Sequence, residues 1–263
     1  MQLEMLISSV EQVAEELIKK MNPECDAVLI NQCDRDAEEK LSLGHVQVKV
    51  LHCNERGVGK SRNLAIENAT KDILLFADED IVYRSGYAAD VVAEFAKHPE
   101  ADLLLFNVKV CPERKTYWNE GYTRVKWYNC GRYPAYSIAV RREALLRSGV
   151  KYSELFGGGA KYSNGEDSLF LKQCADQGIR MFATDVVIGE EEARESTWFK
   201  GYTEKFFFDR GVLFAFLYGK LAWIWALRFV ITKKDMLQGE IKRKQAYRLI
   251  CDGIRQGKKE KKA

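Results

Sequence analysis

Residues 73–80 read Ile73-Leu74-Leu75-Phe76-Ala77-Asp78-Glu79-Asp80. Five apolar residues in a row describe a strand buried on both faces, and the run stops on three acids. Such strands belong to parallel sheets, and open α/β sheets place their ligands at the carboxyl ends of those strands. Asp78 and Asp80 stand two residues apart, so an extended chain aims both carboxylates to one side. One or two carboxylates completed by substrate phosphates are the usual holders of Mg²⁺. The duller reading, an acidic turn after a strand, stands beside it.

Around this octapeptide the first half of the chain alternates short apolar runs with helical periodicity, the pattern of βαβ units. Leu3–Val10, Asp26–Ile30, Val46–His52 and Ala101–Val110 read as further strands. Glu11–Met21, Ser61–Ala69 and Ala88–Lys97 read as the helices between them. Residues 111–136 are rich in Tyr, Trp and Arg without periodicity, which suits a loop-rich segment facing substrate. Ser137–Val140 and Met181–Ile188 return to strand, and Arg142–Ser148 and Ser168–Gly178 to helix. The expected architecture is a mixed, mostly parallel α/β sheet flanked by helices, and a fold of that kind licenses no function by itself.

The 263 residues fit one large domain, or a domain with an appendage. Seven scattered cysteines without a Cys-x-x-Cys pair describe reduced thiols in a cytosolic setting, neither a disulfide frame nor a zinc site. The first residues lack a basic stretch followed by an apolar one, so no signal peptide is expected. The net charge of +3 is unevenly spread: the residues from Lys233 onward carry 11 Lys and Arg against 4 Asp and Glu. That excess puts positive charge in a tail, where anionic lipid or nucleic acid could meet it.

Two more segments carry polar chemistry. Gly57-Val58-Gly59-Lys60-Ser61 invites a phosphate-loop reading, but a Walker loop needs Gly at the position of Asn54, and the dinucleotide fingerprint lacks its third glycine. What survives is a glycine turn feeding a helix whose first turn holds Lys60, Arg62 and Asn63, a place suited to phosphate. The alternative is a solvated basic face. Downstream, Phe156-Gly157-Gly158-Gly159-Ala160 precedes Gly165-Glu166-Asp167. Gly158 and Gly159 would let backbone come close to a sugar or acceptor. Either carboxylate at 166–167 could serve as general base, or both could simply favour a helix start.

The order of these pieces resembles the inverting glycosyltransferases of family 2, which have the GT-A fold. Gly57-Val58-Gly59-Lys60-Ser61-Arg62-Asn63 looks like that family's helix start, with Ser61 where Ala is usual. Asp78-Glu79-Asp80 looks like its Asp-x-Asp metal motif, and Gly165-Glu166-Asp167 like its Glu-Asp catalytic motif. The resemblance spans roughly residues 3–205. It implies that Ser8, Ser9 and Asp34 line the base and ribose pocket and that Arg62 supports the nucleotide, with Lys60, Asn63 and Asp78 nearby. It implies Asp80, beside Asp78, as the ligand of Mg²⁺ or Mn²⁺, and Asp167, beside Glu166, as the base that takes the acceptor proton.

Besides Ser61, the chain departs from the pattern in two places. Many relatives carry a metal-ligating His after the last strand, where this chain reads Gly189-Glu190-Glu191-Glu192-Ala193-Arg194. Either a glutamate substitutes or the metal has fewer protein ligands. The Gln-x-x-Arg-Trp motif of processive relatives is missing, which disfavours polymerisation. Ser196-Thr197-Trp198-Phe199 suits a lid or a packed core.

Residues 1–205 are thus expected to form the catalytic domain and 206–263 a helical appendage. Gly211–Thr232 is apolar and aromatic but contains Lys220 and Arg228, whereas a spanning helix needs about 20 residues with few charges. A helix lying in the membrane interface fits, as does one packed on the core or on a second subunit. The implied partners are a nucleotide-sugar donor, a UDP-sugar first among them, and a glycan or lipid-linked acceptor in cell-surface polysaccharide or glycolipid assembly. The expected location is cytoplasmic, with peripheral contact at the inner face of the plasma membrane. A nucleotidyltransferase of similar fold and a nucleic-acid-binding module using the tail are the rivals, and nucleic acid is the disfavoured partner.

Overall fold

The computed structural model describes residues 1–192, 201–233, 235–237 and 241–262. The octapeptide is the middle of its sheet. β1 (Leu3–Val10) lies parallel to β2 (Asp26–Gln32) on one side and to β5 (Ile73–Asp78) on the other. β2 in turn pairs in parallel with β4 (Val46–Cys53), which ends on the antiparallel edge strand β3 (Ala37–Leu43). β5 continues through the antiparallel β9 (Ile138–Arg141) to β7 (Leu103–Lys109) and β10 (Met181–Glu191). The short β6 (Ile81–Tyr83) and β8 (Thr123–Val125) both pair antiparallel with β10.

Both faces of β5 are covered, as its apolar run requires. Leu75 and Ala77 pack with α1 (Ala14–Met21) and α3 (Tyr87–Lys97) on one face. Leu74 and Phe76 pack on the other with α2 (Val58–Asn68), α4 (Arg142–Ser148) and α5 (Glu166–Asp176).

The sequence reading lacks the short β6 and β8, and three longer elements depart from it. β3, Ala-Glu-Glu-Lys-Leu-Ser-Leu, escapes the apolar criterion because most of it is exposed, and its charges suit a sheet edge. α1 starts at Ala14, not Glu11, whose φ of 53° is not helical. The apolar stretch after residue 206 is two helices, α6 (Glu204–Tyr218) and α7 (Ala222–Thr232), broken at Gly219 with φ 53° and ψ −115°. By length and composition alone Glu204–Thr232 is long and apolar enough to cross a membrane.

The basic tail is not a loose arm. It forms α8 (Arg243–Glu260), whose Ala246, Ile250, Gly253, Ile254 and Gly257 are buried. α6 and α8 touch backbone to backbone: a Cβ on Gly211 would stand 2.0 Å from the Ile250 carbonyl, and one on Gly253 2.0 Å from that of Phe208. The C-terminal helices have an apolar core of their own around Phe207, Phe214, Ala226 and Ile250. A second one, Val212 and Leu213 with Phe156, Tyr162 and Leu169, joins α6 to the approach to α5. The segment Ser196-Thr197-Trp198-Phe199 lies outside the described residues.

Candidate active site

α2 begins where the glycines let chain segments meet. Gly57, at φ +135°, donates its N–H to Gln32 Oε1 (2.7 Å), and the Val58 N–H reaches the Gly158 carbonyl (2.9 Å). A Cβ on Gly159 would stand 2.9 Å from the Gly57 nitrogen, and one on Gly59 2.2 Å from the Ser153 carbonyl. Gly158 and Gly159 thus dock the 157–159 loop onto the start of α2, and that contact takes up the Val58 N–H of the turn.

One turn into α2, Arg62 is 4% exposed and surrounded by acids. Its Nη2 donates to Asp78 Oδ1 (2.9 Å), and its Nη1 to Asp167 Oδ1 (2.7 Å), with Glu166 Oε1 at 3.4 Å. The guanidinium also lies 5.1 Å from the centre of the Tyr152 ring, which stacks on Phe170. The last residue of β5 and the first turn of α5 are therefore tied through one cation. Two parts of the sequence, some 90 residues apart, form one cluster.

Asp167 is the most perturbed member. Burial pushes its carboxyl up from the ordinary 3.8 to about 7 against the pull of Arg62, and the neighbouring Glu166 and Asp78 charges push the same way. Its second oxygen accepts the Ala135 N–H at 3.1 Å, so both oxygens are held. Arg62 is driven the opposite way: burial disfavours its charge, but Asp167, Asp78 and Glu166 hold it firmly protonated. A carboxyl poised near neutrality with a fixed orientation is suited to proton transfer.

The other nominated residues divide. Ser8, opposite Asp78 in the β1–β5 register, accepts from the Ser61 hydroxyl at 2.8 Å. Ser9 donates to Asn31 Oδ1 (3.1 Å). Asn63 spends its amide on the Tyr152 backbone, donating at 3.0 Å and accepting at 2.8 Å. Lys60 is half-exposed beside Glu55 (3.4 Å), and Asp34 is exposed in the turn after β2. A cavity of about 400 Å³ borders Gln32, Lys60, Ser61 and Asn63. The acid cluster lies apart from that cavity, whose lining has acids of its own in Asp36, Glu55, Glu67 and Glu154.

Asp80 sits in the turn between β5 and β6, 8% exposed, and its carbonyl accepts the Glu192 N–H at 2.8 Å. That contact brings the end of β10 beside it. Glu191 pairs in register with Ile81 and is 4% exposed in its side chain, with Arg114 at 2.8 Å. Among the described residues no three His, Cys, Asp or Glu converge into a metal cage. Asp80, with Asp78 or Glu191 beside it, could supply carboxylate oxygens to a hard cation whose other ligands would be phosphate oxygens. Tyr152, Ala135 and Arg114 escaped sequence reading; a ring, a backbone N–H and a loop cation carry no local signature.

The sheet order, its acidic strand end and the Gly-Glu-Asp helix start define a GT-A fold of the nucleotide-sugar transferase kind. Residues 4–146 match the sequence profile of glycosyl transferase family 2, and the chain belongs to that family. The matched stretch contains Arg62, Asp78 and Asp80 and stops before Glu166. No curated protein matches the chain in sequence. Among solved structures it is similar to residues 1–349 of S. aureus TarS, at 16% identity and TM-score 0.56, over 97% of this chain and 71% of that one. The same protein in complex with UDP-GlcNAc matches at 15% identity and TM-score 0.57, over 97% and 72%. The mannosyltransferase PcManGT from Pyrobaculum calidifontis, in complex with GDP-Man and Mn²⁺, matches at 14% and TM-score 0.52, over 98% and 75%.

Removing the central cation tests this geometry. Arg62→Met leaves three crowded carboxylates and is expected to cost about 3 kcal/mol, the low end for breaking a buried pair because the acids are partly exposed. Urea unfolding of the full chain measures it, and wild-type stability would show that Arg62 does not tie the cluster together.

Proposed function

We propose that this protein is a metal-dependent, inverting glycosyltransferase that moves a sugar from a nucleotide-sugar donor to an acceptor hydroxyl. The observation that carries the reading is the Arg62 cluster, with Asp167 held at both oxygens and its carboxyl near 7. Family membership and the GT-A fold give it the reaction class. A UDP-sugar is the first donor to try, since TarS is known in complex with UDP-GlcNAc and UDP, and a GDP-sugar the second.

The chemistry follows from the placement. Asp167 takes the proton of the acceptor hydroxyl while that oxygen bonds to the anomeric carbon. The bond from that carbon to the donor phosphate breaks on the opposite face, its electrons leaving with the nucleoside diphosphate, so configuration inverts. Arg62 orients Asp167 and offsets part of the charge of Asp78 and Glu166. One guanidinium against three carboxylates leaves surplus negative charge, and a diphosphate would add to it. Asp80, with Asp78 or Glu191 nearby, would hold Mg²⁺ or Mn²⁺, which when bound supplies Lewis-acid stabilisation of the departing diphosphate.

The acceptor reading rests on the C-terminal layer. Leu221, Ile224, Leu227 and Ile231 are exposed along one side of α7, interleaved with exposed Lys220 and Arg228. An apolar stripe with cations in the same arc suits the headgroup region of an anionic leaflet. It favours a cytoplasmic enzyme docked on the inner membrane face, acting on a lipid-linked acceptor in polysaccharide or glycolipid assembly.

The transfer reaction and the membrane contact are each open to measurement. With donor and acceptor supplied, Asp167→Asn is expected to lower turnover by about 10²–10⁴-fold, the range for a lost general base, while remaining folded. Asp80→Asn is expected to abolish the response to Mn²⁺. Released nucleoside diphosphate supports glycosyl transfer, whereas pyrophosphate would point to nucleotidyl transfer. Separately, flotation with phosphatidylglycerol vesicles should recover the wild type and lose Ile224→Asp/Leu227→Asp. Equal recovery of both would remove α7 as the docking face.

A further inference from the structure

A second cluster of chemically active side chains lies at the carboxyl end of β2, apart from the Arg62 site. Asn31 and His52 face one another across β2 and β4, and Cys33 follows just beyond the strand end. His52 Nδ1 lies 3.4 Å from Asn31 Nδ2 and 3.7 Å from Cys33 Sγ, and its Nε2 lies 3.2 Å from Glu39 Oε1. Glu39 comes from the edge strand β3. A thiol, an imidazole and a carboxylate thus stand in a row.

The hydrogen bonds decide which ring nitrogen carries the proton. Asn31 Oδ1 accepts the Gln12 backbone N–H at 3.1 Å and the Ser9 hydroxyl at 3.1 Å, while Asn31 Nδ2 donates to the Gln12 carbonyl at 2.8 Å. Its NH₂ therefore faces the ring, and an NH₂ only donates. Nδ1 must be the acceptor, so the neutral ring keeps its proton on Nε2, aimed at Glu39. The lone pair on Nδ1 has two neighbours, the Asn31 Nδ2 at 3.4 Å and the Cys33 sulfur at 3.7 Å. This is nucleophile, base and base-orienting carboxylate in the order that activates a thiol. The Asn31 NH₂ shares that lone pair, and the Arg35 carbonyl, 3.5 Å from Cys33 Sγ, competes for the thiol proton.

Exposure suits the same role. His52 is 6% exposed, so its basic nitrogen is shielded from water, while Cys33 is half-buried and open to a small reagent. The other thiols lack this setting. Burial pushes Cys25 up to about 12 and Cys130 to about 11, and it raises Cys174, Cys53 and Cys251 as well. Cys111 is simply exposed.

We propose that Cys33 is a reactive thiol, with His52 as its base and Glu39 orienting that base, and that it takes up low-molecular-weight disulfides by exchange. Cys33 gives its proton to His52 Nδ1 and its sulfur attacks one sulfur of the disulfide. A new S–S bond forms, the old one breaks, and the departing thiolate takes the proton from His52. No net oxidant beyond the disulfide is needed. The modified side chain would stand one residue from Asp34, at the rim of the nucleotide side of the fold.

Exposure of the full-length protein to oxidised glutathione at pH 7, followed by peptide mass mapping over time, tests this. A free thiol is only about 3% thiolate at that pH, so proton transfer to a base can accelerate exchange by at most about thirtyfold. Cys33 is expected to react about tenfold faster than Cys111 under these conditions. Glu39→Gln, at a half-exposed position, and His52→Gln are each expected to bring the Cys33 rate down to that of Cys111 without changing Cys111. Cys33 reacting no faster than Cys111, or keeping its rate in folded Glu39→Gln, would overturn the assignment. The readout is independent of glycosyl transfer.

Discussion

A single guanidinium in a crowd of carboxylates is the constraint on which the rest of the site depends. Arg62 is nearly without solvent, so its charge is tolerable only because Asp78, Asp167 and Glu166 surround it. Burial pushes the Asp167 carboxyl up against the pull of Arg62, and the neighbouring charges of Glu166 and Asp78 push the same way. What makes the cluster costly to fold also makes it useful: a carboxyl near neutrality exchanges protons at cellular pH. The interaction joins the end of β5 to the start of α5, and so sets the distance between the proposed metal side of the cleft and the proposed base.

The C-terminal helices contribute to that distance without adding a group to the chemistry. A Cβ on Gly165, the residue before α5, would meet Leu213 of α6 at 2.4 Å. Asp209, buried in α6, accepts the Ser163 N–H at 2.9 Å and its hydroxyl at 2.8 Å, and Lys205 balances its charge. From α8, Glu260 accepts from Tyr162 at 2.9 Å and pairs with Lys161. The approach to α5 is thereby clamped by residues from 205 to 260. This layer both braces the approach to Asp167 and presents the exposed stripe of α7, which would couple Asp167 to whatever surface α7 meets.

Much of this was legible in the sequence, for physical reasons that differ by element. The strand at 73–78 announces itself because a parallel strand must be apolar on both faces, and its acids because nothing but function or solvent retains them there. The glycine turn at 57–59 was visible, but its purpose was not: its glycines admit Ser153 and the 157–159 loop, contacts made by residues about a hundred positions later. Arg62 and Asn63 looked like phosphate ligands because local sequence shows a basic helix start; only the fold reveals that Asp167 and Tyr152 are their partners. β3 was hidden by its charges. With it went the Glu39–His52–Cys33 row, which exists only once the β3–β4 hairpin forms.

Asp167, as the proposed base, has a carboxyl raised toward neutrality, and the pH dependence of the transfer rate measures that directly. A base works only when ionised, so activity should be low below the raised value, climb through about pH 7 and level off above it. A rate already at its plateau at pH 5, where an ordinary carboxylate is ionised, would contradict the claim that the Arg62 cluster tunes Asp167.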